Sequence, residues 1–224
     1  MKLKWKIFLR TVFECFKRSV TPFMMYMFCS MTALACLNLE NKTVQVLLVA
    51  ACILFAVALN VDLGFNYGKK HYQMYLSGNI RRNNDMAIYD NTDRKSYQYE
   101  MEYRPYKGFV IGLFICIPVV IVCLFYALFG LNSESGQVTA RLIILLVSGW
   151  AILPWEMAGL LSTPFLTLLS CLLPVLVTGI FYILGAKKEE KDARDREARM
   201  QAVMNAEKES NRQKKKRERE KRNF

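Results

Sequence analysis

The stretch Arg141–Gly159, RLIILLVSGWAILPWEMAG, decides the parity of the fold: either it crosses a bilayer, or it enters and leaves on one side. Its uninterrupted apolar part, Leu142 to Leu153, is a dozen residues, short of the ~20 that a helix needs to cross ~30 Å of hydrocarbon. Pro154 then removes a backbone N–H and biases Leu153 away from helical geometry. Trp150 and Trp155 carry amphipathic rings suited to the headgroup level. Farther on, Ser162 or Thr163 can cap, and Pro164 can occupy the first turn of, a new helix. Residues 139–160 are therefore read as a re-entrant or interfacial segment on the outer side.

Working outward, four other runs are long enough, or nearly so, to span: Val20–Leu39, Val44–Asn66, Phe109–Leu131 and Pro164–Gly185. The chain is 53% hydrophobic, yet its charge is gathered at the ends and in one central block, which is a membrane pattern and not that of a soluble core. The expected fold class is an all-α polytopic membrane protein with four transmembrane helices. Residues 1–18 form a basic amphipathic N-terminal helix, with Trp5, Phe8, Phe13 and Phe16 among Lys2, Lys4, Lys6, Arg10, Lys17 and Arg18, expected to lie in the interface. Residues 19–66 hold spans one and two, and 67–107 a Tyr-rich loop. Residues 108–185 hold span three, the re-entrant or interfacial segment and span four; 186–224 form a charged tail. A signal peptide cut after Ala33-Leu34-Ala35 fits less well, because the basic stretch is long and amphipathic.

Basic residues orient the chain. Residues 1–18, 68–107 and 186–224 carry six, eight and fifteen of them, 29 of the 31 in all. The connections Leu39–Thr43 and Asn132–Arg141 hold one each. The expected location is the cell membrane, multi-pass, with the N-terminus, central block and C-terminus cytoplasmic. Were Arg141–Gly159 and Pro164–Gly185 both to cross, the tail would lie outside against that rule.

The central block, Tyr67–Gly108, contains eight of the eleven tyrosines. Ser77-Gly78-Asn79 is a helix stop signal. Tyr97, Tyr99, Met101 and Tyr103 alternate with polar residues at the period of a strand. Met86–Tyr89 supplies a partner across Asp90-Asn91-Thr92-Asp93, so a β-hairpin is possible. A lone hairpin is marginal in water, so its tyrosine face must lean on headgroups or neighbouring helices.

Chemistry is sparse. One histidine, His71, is too few for a zinc site or a His-based triad, and no nucleotide-binding or nucleophile-elbow motif occurs. The seven cysteines include no C-x-x-C pair and read as small packing residues. No enzyme activity, metal or cofactor is expected. Asp62 and Glu156 are the acids within reach of the membrane, and buried acids there are functional candidates. Asn41-Lys42-Thr43 matches the glycosylation pattern, which has meaning only in a eukaryotic secretory pathway. Gly108 and Gly112, like Gly64 and Gly68, make small-residue stripes suited to close helix packing, with a membrane-protein partner or a second copy as expected occupants.

In the tail, Ala186–Ser210 balances seven basic against seven acidic residues. Glu190-Arg194, Asp192-Arg196 and Asp195-Arg199 are acid-first pairs at the favourable i, i+4 spacing. A helix is expected, with Met200, Val203 and Met204 as one short apolar patch for docking or weak coiled-coil pairing. Beyond it Arg212, Lys214, Lys215, Lys216, Arg217, Arg219, Lys221 and Arg222 form a basic cluster suited to anionic lipid, a ribosome or another RNA-rich partner. The expected function is an integral membrane adaptor or assembly factor whose basic cytoplasmic segments bind such a partner. The alternative is a small transporter, or a subunit of one, using the broken segment around Pro154 and Glu156.

Overall fold

The computed structural model describes residues 2–36, 41–83, 102–129, 143, 145–147, 149–152 and 169–222. They form α1 (Lys2–Cys36), α2 (Lys42–Asn83), α3 (Lys107–Phe129) and α4 (Leu172–Arg222), with helical residues at 149–152 as well. No strand occurs among the described residues. The chain divides into two units, Met1–Ala186 and Lys187–Phe224.

In the first unit, α1 runs unbroken from Lys2, so the amphipathic stretch at 1–18 prolongs the helix of the first apolar run and does not turn away from it. No glycine or proline separates the two, and Pro22 comes only after the apolar run has begun. Asn41 caps α2, its side-chain oxygen accepting the amides of Thr43 at 3.0 Å and Val44 at 3.4 Å. The stop signal at Ser77-Gly78-Asn79 is overridden: α2 continues to Asn83, with the Ser77 hydroxyl turned back onto the Met74 carbonyl at 2.9 Å. Both strands of the expected hairpin lie outside the described residues except Glu102 and Tyr103, which belong to irregular chain leading into α3.

The buried faces of α1 and α2 are inside-out by the standard of a soluble protein. On α1 the buried positions are Thr11, Cys15, Ser19, Pro22, Tyr26, Cys29, Ser30 and Ala33, one helical stripe, mostly small or polar. Large apolar side chains point outward, with Phe13 67%, Leu47 65% and Leu54 68% exposed. Lipid tails reward that arrangement and water does not, because small residues let helices approach while large ones meet hydrocarbon. Two segments, Phe8–Cys36 and Lys42–Ser77, are long and apolar enough to cross a membrane. Tyr26, Cys29, Ala56, Ile115, Cys116, Val119, Trp150, Ala151 and Cys171 form the core.

Glycine sets how closely the helices meet. A Cβ on Gly68 would overlap the Tyr182 carbonyl, and one on Gly185 the Phe65 carbonyl. A Cβ on Gly108 would lie 2.6 Å from that of Tyr182, and one on Gly112 2.5 Å from the Val175 Cα. The faces of Gly64 and Gly68 on α2, and of Gly108 and Gly112 on α3, are thus taken by α4 of the same chain.

The second unit is helical through Arg222. Arg194 pairs with Glu190 at 2.5 Å, as the spacing predicts. Arg196 passes over Asp192 and reaches two turns back to the buried Glu189, also at 2.5 Å. Met200, Val203 and Met204 are exposed.

Candidate functional site

A polar seam joins three helices inside the first unit. The Asn60 side-chain amide on α2 donates to the Tyr26 hydroxyl on α1 at 3.3 Å. Thr178 on α4 shares its single hydroxyl proton between the Asn60 side-chain oxygen at 3.1 Å and the Pro174 carbonyl one turn earlier at 2.6 Å. All three side chains are buried, where unpaired polar groups are costly, and each is satisfied by a neighbour.

The quoted segment is fastened beside this seam. Leu145 packs against Ala33 and Val49. Trp150 lies two turns deeper, its ring 4.6 Å from that of Tyr26, about 10 Å farther along α1 at ~1.5 Å per residue. The Ser30 hydroxyl accepts the Trp150 amide at 3.0 Å and donates to the Tyr26 carbonyl at 3.2 Å. Ser170 donates to the Ala151 carbonyl at 3.0 Å, and the Cys116 thiol to the Cys171 carbonyl at 3.2 Å. Residues 149–152 and the start of α4 are thereby tied to one another and to α3, deep among the helices.

Three turns past Asn60 on α2, beyond the apolar run, His71 Nδ1 lies 2.8 Å from the Tyr182 hydroxyl. The Tyr103 amide donates to the His71 carbonyl at 3.0 Å, and its ring stacks on Tyr182 with centroids 5.5 Å apart. The end of the Tyr-rich loop therefore leans on α2 and α4. Lys107 is buried, its ammonium donating to the Glu102 carbonyl at 2.5 Å. Burial, reinforced by the charges of Lys107, Arg18 and Lys70, holds the His71 imidazole neutral, its pKa lowered to about 3. Among the described residues, His71 Nε2 has no hydrogen-bond partner. Nearby, Arg18 pairs with Glu14 at 2.7 Å and lies 4.6 Å over the Tyr67 ring.

The residues singled out by sequence fall elsewhere. Asp62 is exposed, two positions and so about 200° around α2 from Asn60, and takes no part in the seam. Glu156 and Pro154 lie outside the described residues. Arg212 is exposed on α4 in the second unit, and Lys214, Lys215, Lys216, Arg217, Arg219, Lys221 and Arg222 follow on the same helix. Sequence reasoning passed over Tyr26, Ser30, Asn60, Thr178 and Tyr182. One signal was present: Asn60, Gly64, Gly68 and His71 recur at helical spacing, a small and polar stripe on an otherwise apolar helix. Among the described residues no three of histidine, cysteine, aspartate and glutamate gather as metal ligands would. The chemistry of the seam is that of interhelical hydrogen bonding. No family model matches the chain, and neither the curated proteins nor the solved structures give a match to it.

Proposed function

We propose that the chain is an integral membrane adaptor or assembly factor. In this reading four helices cross the bilayer, 139–160 is re-entrant from outside, both termini and 67–107 are cytoplasmic, and the basic cytoplasmic segments bind an anionic partner. The observation that carries it is the placement of 29 of the 31 basic residues in three segments. The seam adds support, because Tyr26, Asn60 and Thr178 spend their polar groups on one another, as expected of helices that pack a scaffold. Single cysteines at positions 90, 136 and 220 in a cysteine-free background test the topology. Only position 136 should label from outside, and outside labelling of 220 sinks the four-span reading. Crosslinking in intact membranes tests the adaptor role, which predicts a defined partner joined through the cytoplasmic segments.

The burial of Trp150, Ala151 and Ile152 beside the start of α4 favours one second reading, a transporter or transporter subunit. A break of the kind that Pro154 favours is tolerated at membrane depth where it faces protein or a cavity. Glu156→Gln separates the two. A transporter using this acid loses the phenotype-rescuing activity at normal abundance, whereas an adaptor keeps it.

A further inference from the structure

We infer that the helical end of α4, residues 211–222, is a binding element for structured RNA, seated in a groove walled by phosphates; this rests on the adaptor reading and names the partner class. The stretch NRQKKKREREKR carries eight basic residues, two acidic ones and no apolar side chain, and its backbone is helical through Arg222. At about 100° per residue, the eight basic positions fall all around the helix axis. The widest sector without one spans about 100° and holds Gln213 and Glu220. That distribution decides between the two polyanions a cytoplasmic tail meets. A membrane surface is a plane, and a helix lying on it needs an apolar face to sink into the headgroups. This one has none, and a plane neutralises only the charges turned toward it, at roughly 1 kcal/mol each. A groove with phosphates on both walls neutralises charges on opposite sides of one helix at once. The deep major groove of an A-form RNA helix, opened by a bulge or internal loop, has that form. Arg212 is exposed at the start of the stretch, and the preceding part of the tail is charge-balanced, so the net positive charge of the tail is concentrated in these positions.

The test uses the full chain in zwitterionic nanodiscs and a labelled RNA hairpin with an internal loop, read by anisotropy across a salt series. Binding at ~150 mM salt, where the Debye length is about 8 Å, is expected to weaken steeply, with a log–log slope of roughly −4 to −6 for about six neutralised phosphates. Replacing Lys214, Lys215, Lys216 and Arg217 together by Gln should lower that slope by about 3 while leaving topology and abundance unchanged. RNA binding indifferent to this change overturns the proposal, as does tighter binding to anionic vesicles at the same salt, and equal binding to duplex DNA overturns the choice of RNA. Retention, by a chain ending at Ser210, of a partner crosslinked through residues 1–18 or 67–107 leaves the adaptor reading standing even where the RNA proposal fails.

Discussion

The hydroxyl of Thr178 donates to the side-chain oxygen of Asn60 across 118 residues of sequence, at 3.1 Å, and Asn60 hands the connection on to Tyr26. One amide thus links three helices. Asn60→Leu removes both bonds and leaves the Tyr26 hydroxyl without its donor. In detergent unfolding the expected loss is about 1–2 kcal/mol. A double-mutant cycle of Asn60→Leu with Thr178→Val should give a coupling of about 0.6 kcal/mol, and at most about 1.7; zero coupling would remove the bond from the account of stability.

Glycine substitutions rank by what each Cβ would meet. Gly68→Ala and Gly185→Ala drive a methyl into backbone carbonyls that have no room to yield, and thermal melting in detergent should show a loss of about 3 kcal/mol for each. Gly64→Ala approaches the Thr178 carbonyl at 3.3 Å and should cost within about 1 kcal/mol. Equal effects at the three positions would refute the close seating of α4.

The Ser30 hydroxyl is the acceptor for a buried amide, that of Trp150. Ser30→Ala orphans this N–H, at a cost of about 1–3 kcal/mol, whereas Ser30→Thr keeps an acceptor at the same Cβ. Faster proteolysis around residue 150 in the alanine variant, restored by threonine, checks the assignment.

His71 gives the fold a pH dependence. Its pKa is about 3 when folded against 6.5 unfolded, so the unfolded chain binds the extra proton between those values. The stabilisation is complete above pH 6.5 and falls as pH drops toward 3, by up to about 1.4 kcal/mol per pH unit. His71→Gln should flatten stability between pH 6.5 and 5; an unchanged slope assigns the acid sensitivity to other groups.

Much of the helical content was legible, because apolar runs of span length and a charge-paired tail leave few alternatives. The interior was not. Asp62 drew attention by its charge, yet Asn60, two residues earlier, turns inward, and one position in a helix moves a side chain by about 100°. The glycine pattern announced close packing without naming the neighbour, since Gly179 and Gly185 on α4 are six residues apart and make no small-x-x-x-small repeat. The stop at Ser77-Gly78-Asn79 failed because such residues only weaken a helix, by about 1 kcal/mol for a glycine, and the Ser77 hydroxyl finds its acceptor within the helix, on the Met74 carbonyl.

The groove that receives α4 is made of residues synthesised long before α4 itself. Between His71 and Tyr182 the ribosome adds 111 residues, roughly 6–22 s of elongation at about 5–20 residues per second. Through that interval the bare backbone at Gly64 and Gly68 lacks the helix that covers it in the folded chain. α4 is therefore a late-arriving keystone, and a chain stalled before residue 172 leaves the glycine faces of α2 and α3 without the helix that fills them.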